Sequence, residues 1–547
     1  MKGSSPLASR AEQIRLEHVH VAYPGAQNEA LRDISLSIAA GEHVCILGGN
    51  GSGKSMLLQL VNALIVPTKG IVRVCGMDTS DPSLALSVRG RTASVFQHPE
   101  DQMVTSVVAD DVAFGPENLC VPQPQIVDRV TAALTAVSML DCAQSDPADL
   151  SGGQVQRVAI AGALAMEPQI ILFDEPCAML DSEGRSDVRR IIAQLSARGI
   201  TVLHVTHFMD DALLADRVIA LEQGRIVFDG APSSLFAKAP IVHALGLEMP
   251  NSHQEHPAPS LSQVAAESDA AASSDIKGPS RPNANPSIVF DSVSFSYEEA
   301  SNPRKRTKRR LFDSRHRPQQ AVKLALSNLS FQVYPGTLTA LIGRTGSGKS
   351  TTAELTCALK VPSSGTVCVR GIDTSDLTRR RELRASVGYV AQLPERQLFA
   401  ETVYDDVAFG PRNLGLSAEE VDNRVREALE SVNLTPTDAL LESSPFALSG
   451  GQQRSVALAG VLAMRQPVLV LDEPMAGLDP QGRRRVRSLL QGLKQKGATL
   501  LMVTHSMSDV AELADQVIEL DRGKRVSTAS PRSMQIPQEV KEVGAAS

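Results

Sequence analysis

The stretch GGNGSGKS at residues 48–55 follows a short apolar run and precedes a helical pattern, and this context decides how the chain is interpreted. It returns as GRTGSGKS at residues 343–350, an offset of 295. The pattern GxxxxGK[ST] is typical of phosphate-binding loops, because glycines let backbone N–H groups approach phosphate oxygens and the helix that follows adds partial positive charge. Two occurrences in the same context predict two nucleotide sites.

The remaining landmarks of the chain repeat in the same order. Gln97 returns as Gln392, again 295 residues later, whereas the motif LSGGQ at residues 150–154 returns at 448–452 with an offset of 298. The motifs DEP and TH also repeat at 298 residues: Asp174-Glu175-Pro176 as Asp472-Glu473-Pro474, and Thr206-His207 as Thr504-His505. A fixed order at a nearly constant spacing indicates one module that is present twice.

Composition divides the chain into two domains, a linker and a tail. We expect the first domain at 12–246 and the second at 287–528, joined by a flexible linker at 247–286 that is rich in Ala, Ser and Pro. The tail is 529–547. The second domain carries a basic insertion at about 300–320, which predicts an exposed loop; contact with anionic lipid headgroups is the alternative.

The composition also excludes several classes of protein. Of the 547 residues, 42% are hydrophobic and 21% are charged, which argues against a largely disordered chain. A net charge of −7, the absence of Trp and an aromatic content of 3% argue against a nucleic-acid partner. We find no apolar run of the ~18–20 residues that a membrane span needs and no signal-peptide pattern. Seven scattered cysteines without a CxxC predict reduced thiols in the cytosol, and neither a disulfide framework nor a zinc site.

Short runs rich in Val, Ile and Leu precede the motifs and predict buried parallel strands, so the fold class is α/β. The runs are residues 44–47, 170–173 and 202–205, with counterparts at 339–342, 468–471 and 500–503. Parallel α/β sheets bind ligands at the carboxyl ends of their strands, where these motifs fall. Each phosphate loop is expected to open a helix, at 54–65 and 349–359.

Residues beside the loop predict how a triphosphate is held. Lys54 and Lys349 are expected to contact the β- and γ-phosphates. A serine hydroxyl and an aspartate after a buried strand are hard oxygen ligands suited to Mg²⁺. These ligands are Ser55 and Asp174 in the first domain, and Ser350 and Asp472 in the second.

Two further residue types predict hydrolysis of the bound triphosphate. Glu175 and Glu473 are candidates to polarise the attacking water, although an Asp-Glu pair alone is more often a solvated turn. His207 and His505 each follow a strand and are candidates to contact the γ-phosphate, although a single His is usually structural. The motif LSGGQ resembles a second phosphate-binding nest, which is surplus in one module unless it serves the nucleotide of the other.

This set of motifs resembles the ATP-binding cassette (ABC) ATPases over nearly all of both copies. The resemblance implies two tandem P-loop nucleotide-binding domains, each with a RecA-like α/β core and an α-helical subdomain. It also implies that the two cassettes pair head to tail within the chain and bury two ATP molecules, each with Mg²⁺. Gln97 and Gln392 resemble the Q-loop residues of the family, which bind Mg²⁺ and report to a membrane partner.

The resemblance assigns the remaining site residues by motif. Tyr23 and Tyr297 correspond to the aromatic residues that stack on adenine, and Asp181 and Asp479 to interface aspartates. Nucleotide-binding residues in the two loops are Gly48, Asn50, Gly51, Ser52, Gly53, Lys54, Ser55 and Met56, and Gly343, Thr345, Gly346, Ser347, Gly348, Lys349, Ser350 and Thr351. The signature residues are Ser151, Gly152, Gly153 and Gln154, expected to complete the site of Lys349, and Ser449, Gly450, Gly451 and Gln452, expected to complete the site of Lys54.

The first copy departs slightly from the family pattern. CAMLD at residues 177–181 replaces the more typical MAGLD found at 475–479, and Met56 stands where Thr is commoner. Neither change removes a ligand, so both sites are predicted to be competent.

The segment after each glutamine narrows the resemblance. PEDQMVTSVVADDVAFGPENL at residues 99–119 aligns with PERQLFAETVYDDVAFGPRNL at 394–414, and DDVAFGP is identical in both. This resembles the ATPases of energy-coupling factor (ECF) transporters, which import vitamins and transition-metal ions such as cobalt and nickel. The resemblance implies a peripheral protein at the cytoplasmic face of the membrane, with a transmembrane T component and a substrate-binding S component as partners.

Two other functions remain open from the sequence. One is a soluble twin-cassette ATPase that acts on the ribosome, although such proteins commonly lack the switch histidine and carry a charged helical linker. The other is the fused ATPase of a sugar importer, for which one degenerate site would be expected.

Overall fold

The computed structural model describes residues 11–22, 29–178, 180–250, 285–297 and 324–529. Tyr23, the basic insertion, and nearly all of the predicted linker and tail lie outside the described residues. The chain divides into two compact units: Met1–Val264 with Gly477–Arg483, and Ala265–Ala476 with Arg484–Ser547. Apart from residues 477–483, each unit holds one copy of the repeated module. The domain bounds given above stay a prediction.

The first unit contains two sheets and a group of helices. Its strands are β1 (Glu12–Ala22), β2 (Glu29–Ala39), β3 (His43–Leu47), β4 (Lys69–Val74), β5 (Met77–Asp78), β6 (Thr92–Val95), β7 (Ile170–Asp174), β8 (Thr201–Val205), β9 (Arg217–Glu222) and β10 (Arg225–Gly230). Its helices are α1 (Lys54–Val61), α2 (Ala85–Arg89), α3 (Val108–Asn118), α4 (Gln123–Ala136), α5 (Gly152–Ala165), α6 (Ser182–Ala197), α7 (Met209–Ala212), α8 (Pro232–Phe236) and α9 (Ala239–Ala244).

The larger sheet of the first unit places the motifs. Its order is β10-β9-β3-β8-β7-β6, with β9, β3, β8, β7 and β6 parallel and β10 antiparallel at the edge. The predicted strands at 44–47, 170–173 and 202–205 are confirmed as β3, β7 and β8, which are adjacent and buried. The phosphate loop, the DEP motif and the TH motif therefore leave the sheet at one edge. A smaller antiparallel sheet, β2-β1-β4-β5, packs its apolar face on the same core.

The second unit repeats this architecture. Its strands are β11 (Ile288–Phe295), β12 (Leu326–Val333), β13 (Leu338–Gly343), β14 (Ser364–Val369), β15 (Ile372–Asp373), β16 (Val387–Val390), β17 (Val468–Asp472), β18 (Thr499–Val503), β19 (Gln516–Asp521) and β20 (Lys524–Ala529). Its helices are α10 (Lys349–Thr356), α11 (Arg380–Ser386), α12 (Val403–Asn413), α13 (Ala418–Ser431), α14 (Asp438–Glu442), α15 (Gly450–Ala463), α16 (Pro480–Gln495) and α17 (Met507–Leu513). The sheet orders are β12-β11-β14-β15 and β16-β17-β18-β13-β19-β20, so the three predicted strands are confirmed here also.

A helical subdomain in each unit has its own apolar cluster. In the first unit α3, α4 and α5 bury Val112, Leu134 and Ile160. In the second unit α12, α13 and α15 bury Val407 and Val425 together with small alanines. The α/β fold class, with a helical subdomain beside each core, is confirmed. No helix among the described residues is long and apolar enough to cross a bilayer.

The helices after the phosphate loops are shorter than the sequence predicts. They end at Val61 and Thr356, not at 65 and 359. Ala63 and Ala358 adopt left-handed backbone conformations, with φ of 50° and 52°. The next residue then donates its N–H to a carbonyl five residues back, which is the helix-ending motif usually built on glycine. Apolar periodicity alone could not reveal this stop.

Two histidines lie in the core of the first unit. His204 on β8 is 1% exposed, and its ring stacks on that of His43 on β3 with centroids 6.1 Å apart. Burial lowers the pKa of His204 to about 3, with smaller contributions from His43 and Arg189. The corresponding residue of β18 is Met502, so only the first unit carries this buried imidazole.

The buried imidazole predicts acid sensitivity that is specific to the first unit. The unfolded chain binds a proton at His204 near pH 6.5 and the folded chain does not, so the stability present above pH 6.5 is lost as the pH falls. At pH 5.5 the loss amounts to about 1.4 kcal/mol. His204→Met should therefore reduce the fall in the unfolding midpoint of the first unit between pH 7.5 and 5.5. Met502→His should create such a fall in the second unit; an unchanged pH profile in both variants would contradict the argument.

Candidate active site

The phosphate loop of the first unit depends on two glycines. Helix α1 begins at Lys54, and its N-cap, Gly53, has a left-handed backbone with φ of 101°. At Gly48 a Cβ would lie 2.3 Å from the carbonyl oxygen of Leu221, so only glycine fits between β3 and β9. The second unit repeats this with Gly343, where a Cβ would lie 2.1 Å from the Leu520 oxygen. The loop is therefore held close to the sheet, with the amino end of a helix facing it.

The loop lysines are buried inside their own loops. Lys54 is 6% exposed, and its Nζ donates to the carbonyls of Gly48 and Gly49 at 2.9 Å each. Lys349 makes the same contacts to Gly343 and Arg344 at 2.8 Å. Burial lowers the pKa of Lys54, and the nearby carboxylates of Glu175 and Asp174 partly offset this. The ammonium is thus fixed at the centre of the loop before any phosphate arrives.

The predicted magnesium ligands lie together in both units. The hydroxyl of Ser55 donates to Asp174, and that of Ser350 donates to Asp472. Burial raises the pKa of Asp174 and raises the pKa of Asp472 to about 6, because desolvation disfavours the charged carboxylate. A hydroxyl and a buried carboxylate form a hard oxygen set that fits Mg²⁺, which usually takes one or two protein ligands besides phosphates and water. The described residues contain no cluster of three His, Cys, Asp or Glu that could hold a metal ion.

The glutamates after β7 and β17 have an uncommon backbone. Glu175 and Glu473 are in the left-handed region, with φ of 51° and 50°, which few residues other than glycine adopt. The N–H of Glu175 donates to the Val205 carbonyl, and that of Glu473 to the Val503 carbonyl, each at 3.0 Å. These bonds tie the end of one strand to the end of the next. They turn each carboxylate toward the histidine that follows the neighbouring strand.

The predicted histidines and one glutamine meet these glutamates. Nε2 of His207 lies 2.6 Å from Oε1 of Glu175, and Nε2 of His505 lies 3.0 Å from Oε1 of Glu473. The amide of Gln97 donates to the other carboxylate oxygen of Glu175 at 3.3 Å. Each unit therefore brings loop lysine, aspartate, glutamate and histidine to one edge of its sheet.

The LSGGQ motifs form the amino ends of long helices. Ser151 caps α5 and Ser449 caps α15, and both helices begin with a capping box to Gln154 or Gln452. Their Oγ atoms donate to the glutamine side chains at 3.0 Å. A Cβ at the first glycine of either motif would meet no atom within 4 Å. These helix ends place Gly152, Gly153, Gly450 and Gly451 in the first turn, and their role as a nest for an anion stays a prediction.

The aromatic site can be described in the second unit only. The hydroxyl of Tyr297 lies 2.9 Å from Oγ1 of Thr351, and the ammonium of Lys360 lies 4.2 Å from the centre of the tyrosine ring. Lys360 in turn pairs with Glu354 at 2.6 Å. This arrangement holds the tyrosine beside the helix that opens at Lys349. Met56 occupies the position of Thr351 in the first unit and offers no hydroxyl.

The remaining predicted residues have local roles that the structure defines. Asp181 caps α6 by accepting from the N–H of Gly184 at 2.8 Å, and Asp479 caps α16 by accepting from Gly482 at 2.7 Å. The other loop residues lie in the turns between strand and helix: Asn50, Gly51, Ser52, Thr345, Gly346, Ser347 and Gly348.

Sequence analysis did not predict the contacts of two kinds of residue, the first of which is an aspartate that repeats in both units. Asp111 accepts hydrogen bonds from the backbone N–H groups of Val104 and Thr105 at 2.7 and 3.0 Å. In the second unit, Asp406 accepts hydrogen bonds from the two corresponding N–H groups at 2.9 and 3.0 Å. These carboxylates hold the segment after the glutamine against the helical subdomain. The repeated DDVAFGP was the signal for them, but it did not reveal which atoms meet.

Arg454 is the second residue whose contacts sequence analysis did not predict. On the signature helix α15, it donates to the carbonyl of Gln392 at 2.9 Å and also to the carbonyl of Ala476. It thereby joins the signature helix to the predicted glutamine and to the segment after Glu473. Gln156 occupies this position in the first unit, so the link is not repeated there.

Comparison with known proteins identifies the family. Residues 31–178 and 326–476 each match the family described as ABC transporter, and the two matches together cover more than half of the chain. The chain belongs to the ABC transporter ATPases. It is a double-cassette ATPase, with one cassette in each repeated module.

Three relatives show the extent of the similarity. A protein of Bifidobacterium longum named as an ABC transporter ATP-binding protein is 39% identical over 92% of this chain, which spans 64% of that relative's length. A protein of Caldanaerobacter subterraneus subsp. tengcongensis with the same description is 32% identical over 90% of this chain and 87% of its own. The energy-coupling factor transporter ATP-binding protein EcfA1 of Clostridium novyi is 44% identical over 43% of this chain and 86% of its own.

The left-handed backbone of the two glutamates predicts different effects of two substitutions. These effects distinguish the strain of the backbone from the charge of the carboxylate. Replacing Glu175 and Glu473 by Gln or by Asn removes the carboxylates in both cases, so both double variants should lose ATP turnover. Asn tolerates the left-handed conformation better than Gln. We therefore expect the Asn pair to be more stable than the Gln pair by about 0.5–1 kcal/mol per site, measured as a difference in the free energy of unfolding. Equal stability would show that these backbones carry no strain.

Proposed function

We propose that this double-cassette ATPase is the energy-coupling subunit of an ECF-type importer. One observation carries the proposal: each cassette exposes a phenylalanine on the helix that follows its glutamine loop. Phe114 on α3 is 43% exposed and Phe409 on α12 is 51% exposed, and Phe399 packs edge-on against Phe409. Large exposed apolar patches mark sites where a partner docks. The similarity of one cassette to the EcfA1 ATPase supports the same assignment.

The proposed partners are a transmembrane T component, which contacts these surfaces, and an S component, which binds the cargo. The ATPase would be peripheral, at the cytoplasmic face of the membrane. The carboxylates of Asp111 and Asp406 hold the loops that carry Val104 and Phe399, so the surface is preorganised for an apolar helix. The cargo that we propose, a vitamin or a transition-metal ion such as cobalt or nickel, rests on the ECF resemblance.

The proposed chemistry follows from the contacts at the sheet edge. Lys54 and Lys349 exchange their loop carbonyl contacts for phosphate oxygens. Glu175 orients and polarises the attacking water, while His207, 2.6 Å from its carboxylate, holds that carboxylate in place and contacts the γ-phosphate. Mg²⁺, when bound through Ser55 and Asp174 with Gln97, would neutralise the charge that develops on the phosphates. The second site uses the corresponding residues Ser350, Asp472, Gln392, Glu473 and His505.

We further propose that the two cassettes pair head to tail, so that each ATP is held by one phosphate loop and by the signature helix of the other cassette. The helix ends at Ser151 and Ser449 support this, because a single cassette already binds its triphosphate at its own loop. The linker would raise the effective concentration of one cassette near the other.

A pair of signature variants tests this pairing in a Lys349→Ala background, where only the site of Lys54 keeps its lysine. Ser449→Arg should then lower the remaining ATP turnover at least a hundredfold, because the arginine fills the nest that completes this site. Ser151→Arg is the matched control and should change turnover less than threefold. Equal effects of the two variants, or no effect of Ser449→Arg, would contradict the head-to-tail arrangement.

Detergent extraction tests the import role. The full chain should copurify with integral membrane proteins, and a double change of Phe114→Asp and Phe409→Asp should abolish this while ATP binding persists. Recovery with ribosomal RNA would favour the translation factor. Recovery with the membrane subunits of a sugar importer would favour the other alternative.

A further inference from the structure

A buried ion pair lies next to the turn that carries the histidine of each TH motif. In the first unit, Asp211 on α7 is 1% exposed, and its Oδ1 accepts a hydrogen bond from Nε of Arg189 on α6. In the second unit, Asp509 on α17 is 2% exposed, and its Oδ1 accepts from Nε of Arg487 on α16 at 2.7 Å. None of these four residues has a role in the chemistry proposed above.

In the first unit the aspartate is linked to the histidine turn through a threonine and the backbone. The hydroxyl of Thr206 donates to Oδ2 of Asp211 at 3.0 Å and accepts a hydrogen bond from the N–H of Phe208, also at 3.0 Å. The N–H of Asp211 donates to the carbonyl of Phe208 at 3.0 Å. These bonds hold the residues on both sides of His207, between the end of β8 and the start of α7. The turn that carries the imidazole is therefore fixed by the carboxylate of Asp211.

The second unit holds the same turn with a similar set of bonds. The hydroxyl of Thr504 accepts a hydrogen bond from the N–H of Ser506 at 3.1 Å, and the hydroxyl of Ser506 accepts one from the N–H of Asp509 at 3.3 Å. A second nitrogen of Arg487 lies 2.6 Å from Oδ1 of Asp509. The arginine, the threonine and the aspartate are the same in both units, whereas the residue after the histidine is Phe208 in one and Ser506 in the other.

Stability alone does not account for a charged pair at this place. Burial removes the hydration of both ions, so a fold with an apolar pair of similar size is often at least as stable. A carboxylate, however, accepts hydrogen bonds from several directions at once, which an apolar side chain cannot do. Asp211 uses this capacity to join a helix, a threonine hydroxyl and the histidine turn. The ion pair therefore contributes a defined geometry more than it contributes stability.

We propose that Asp211 and Asp509 are positioning residues for ATP hydrolysis: each, held by its arginine, fixes the turn that places the histidine against the glutamate of the same site. Nε2 of His207 lies 2.6 Å from Oε1 of Glu175, a contact that tolerates little movement of the turn. A displacement of about 1 Å at a reacting group can lower a rate about a hundredfold. The inference rests on the role proposed for the histidines, and neither on the import role nor on the head-to-tail pairing.

The test removes both ion pairs without leaving a buried charge behind. One variant of the full chain combines Arg189→Met and Arg487→Met with Asp211→Leu and Asp509→Leu. We expect this variant to fold and to bind ATP, because both members of each buried pair become apolar. The kcat for ATP hydrolysis should fall at least tenfold, while KM for ATP changes less than twofold because the phosphate loops are unaltered.

A second measurement separates positioning of the histidines from a general structural defect. The same four substitutions are added to a variant with His207→Ala and His505→Ala, and hydrolysis is followed under single-turnover conditions, where a slow rate is still measurable. The four substitutions should lower the rate less than twofold further, because groups that act as a unit have non-additive effects. If the two histidine substitutions alone leave the rate unchanged, the proposed chemistry is wrong, and this inference is wrong with it.

Asp211→Asn with Asp509→Asn keeps the size of both side chains and replaces the apolar variant if that variant does not fold. Its amide oxygen can still accept from the arginine but its NH₂ group accepts no hydrogen bond, so kcat should fall at least threefold at unchanged KM. Arg190→Met is the control, because this exposed arginine lies on the same helix and pairs with Asp187; kcat should change less than twofold.

Three results would overturn the inference. They are an unchanged kcat in the folded variant, a rise in KM that accounts for the whole loss, and a loss that persists in full when the histidines are absent.

Discussion

Each site depends on one backbone hydrogen bond. It joins the glutamate that follows one strand to the last residue of the neighbouring strand. In the first cassette Glu175 donates to Val205, and in the second Glu473 donates to Val503. This bond fixes the left-handed turn that points the carboxylate at the histidine of the adjacent strand. Without it, buried parallel strands would still bring aspartate, glutamate and histidine to one edge of the sheet, but the glutamate carboxylate would not be turned toward the histidine. The strain of two uncommon backbones is tolerated because strands buried on both faces hold the chain around them.

The sequence was informative wherever the physics is local or periodic. The short, wholly apolar runs at 44–47 and 468–471 predicted buried strands, and the glycine pattern predicted a loop that opens a helix. The helix ends at Ala63 and Ala358 were not predictable, since alanine there departs from the usual glycine signal. Contacts between side chains and backbone groups far away in the sequence were also not predictable. Arg454 meets Gln392 across 62 residues, and nothing in the composition of either segment indicates that pair.

Duplication lets each copy be interpreted against the other. The lysine, serine, aspartate, glutamate and histidine that we propose to act on the triphosphate and the water are the same in both copies, whereas several residues around them differ. The second cassette carries Thr351, Lys360 and Arg454, which tie the tyrosine and the glutamine loop to their helices; the first has Met56, Ile65 and Gln156. The second cassette thus holds its site with charged and hydroxyl side chains that the first lacks. The residues that we propose for catalysis are shared, but the contacts that hold them in place are not. We therefore infer that the two sites differ in how rigidly their residues are held, and not in their chemistry.

Electrostatics explains why such a site is ready to bind. Asp472 is a buried carboxylate next to Glu473, and burial, with a smaller contribution from the charge of Glu473, raises the pKa of Asp472 to about 6. The hydroxyl of Ser350 and the ammonium of Lys349 offset part of this rise. The free protein therefore keeps an unfavourable concentration of negative charge beside a loop of backbone N–H groups that attracts anions. The nucleotide and the cation that we propose here would together satisfy the carboxylates and the N–H groups. The nucleotide alone would place further negative charge beside the carboxylates, and the cation alone would leave the backbone N–H groups without a partner. This reciprocal requirement favours the complex of nucleotide and cation over either component.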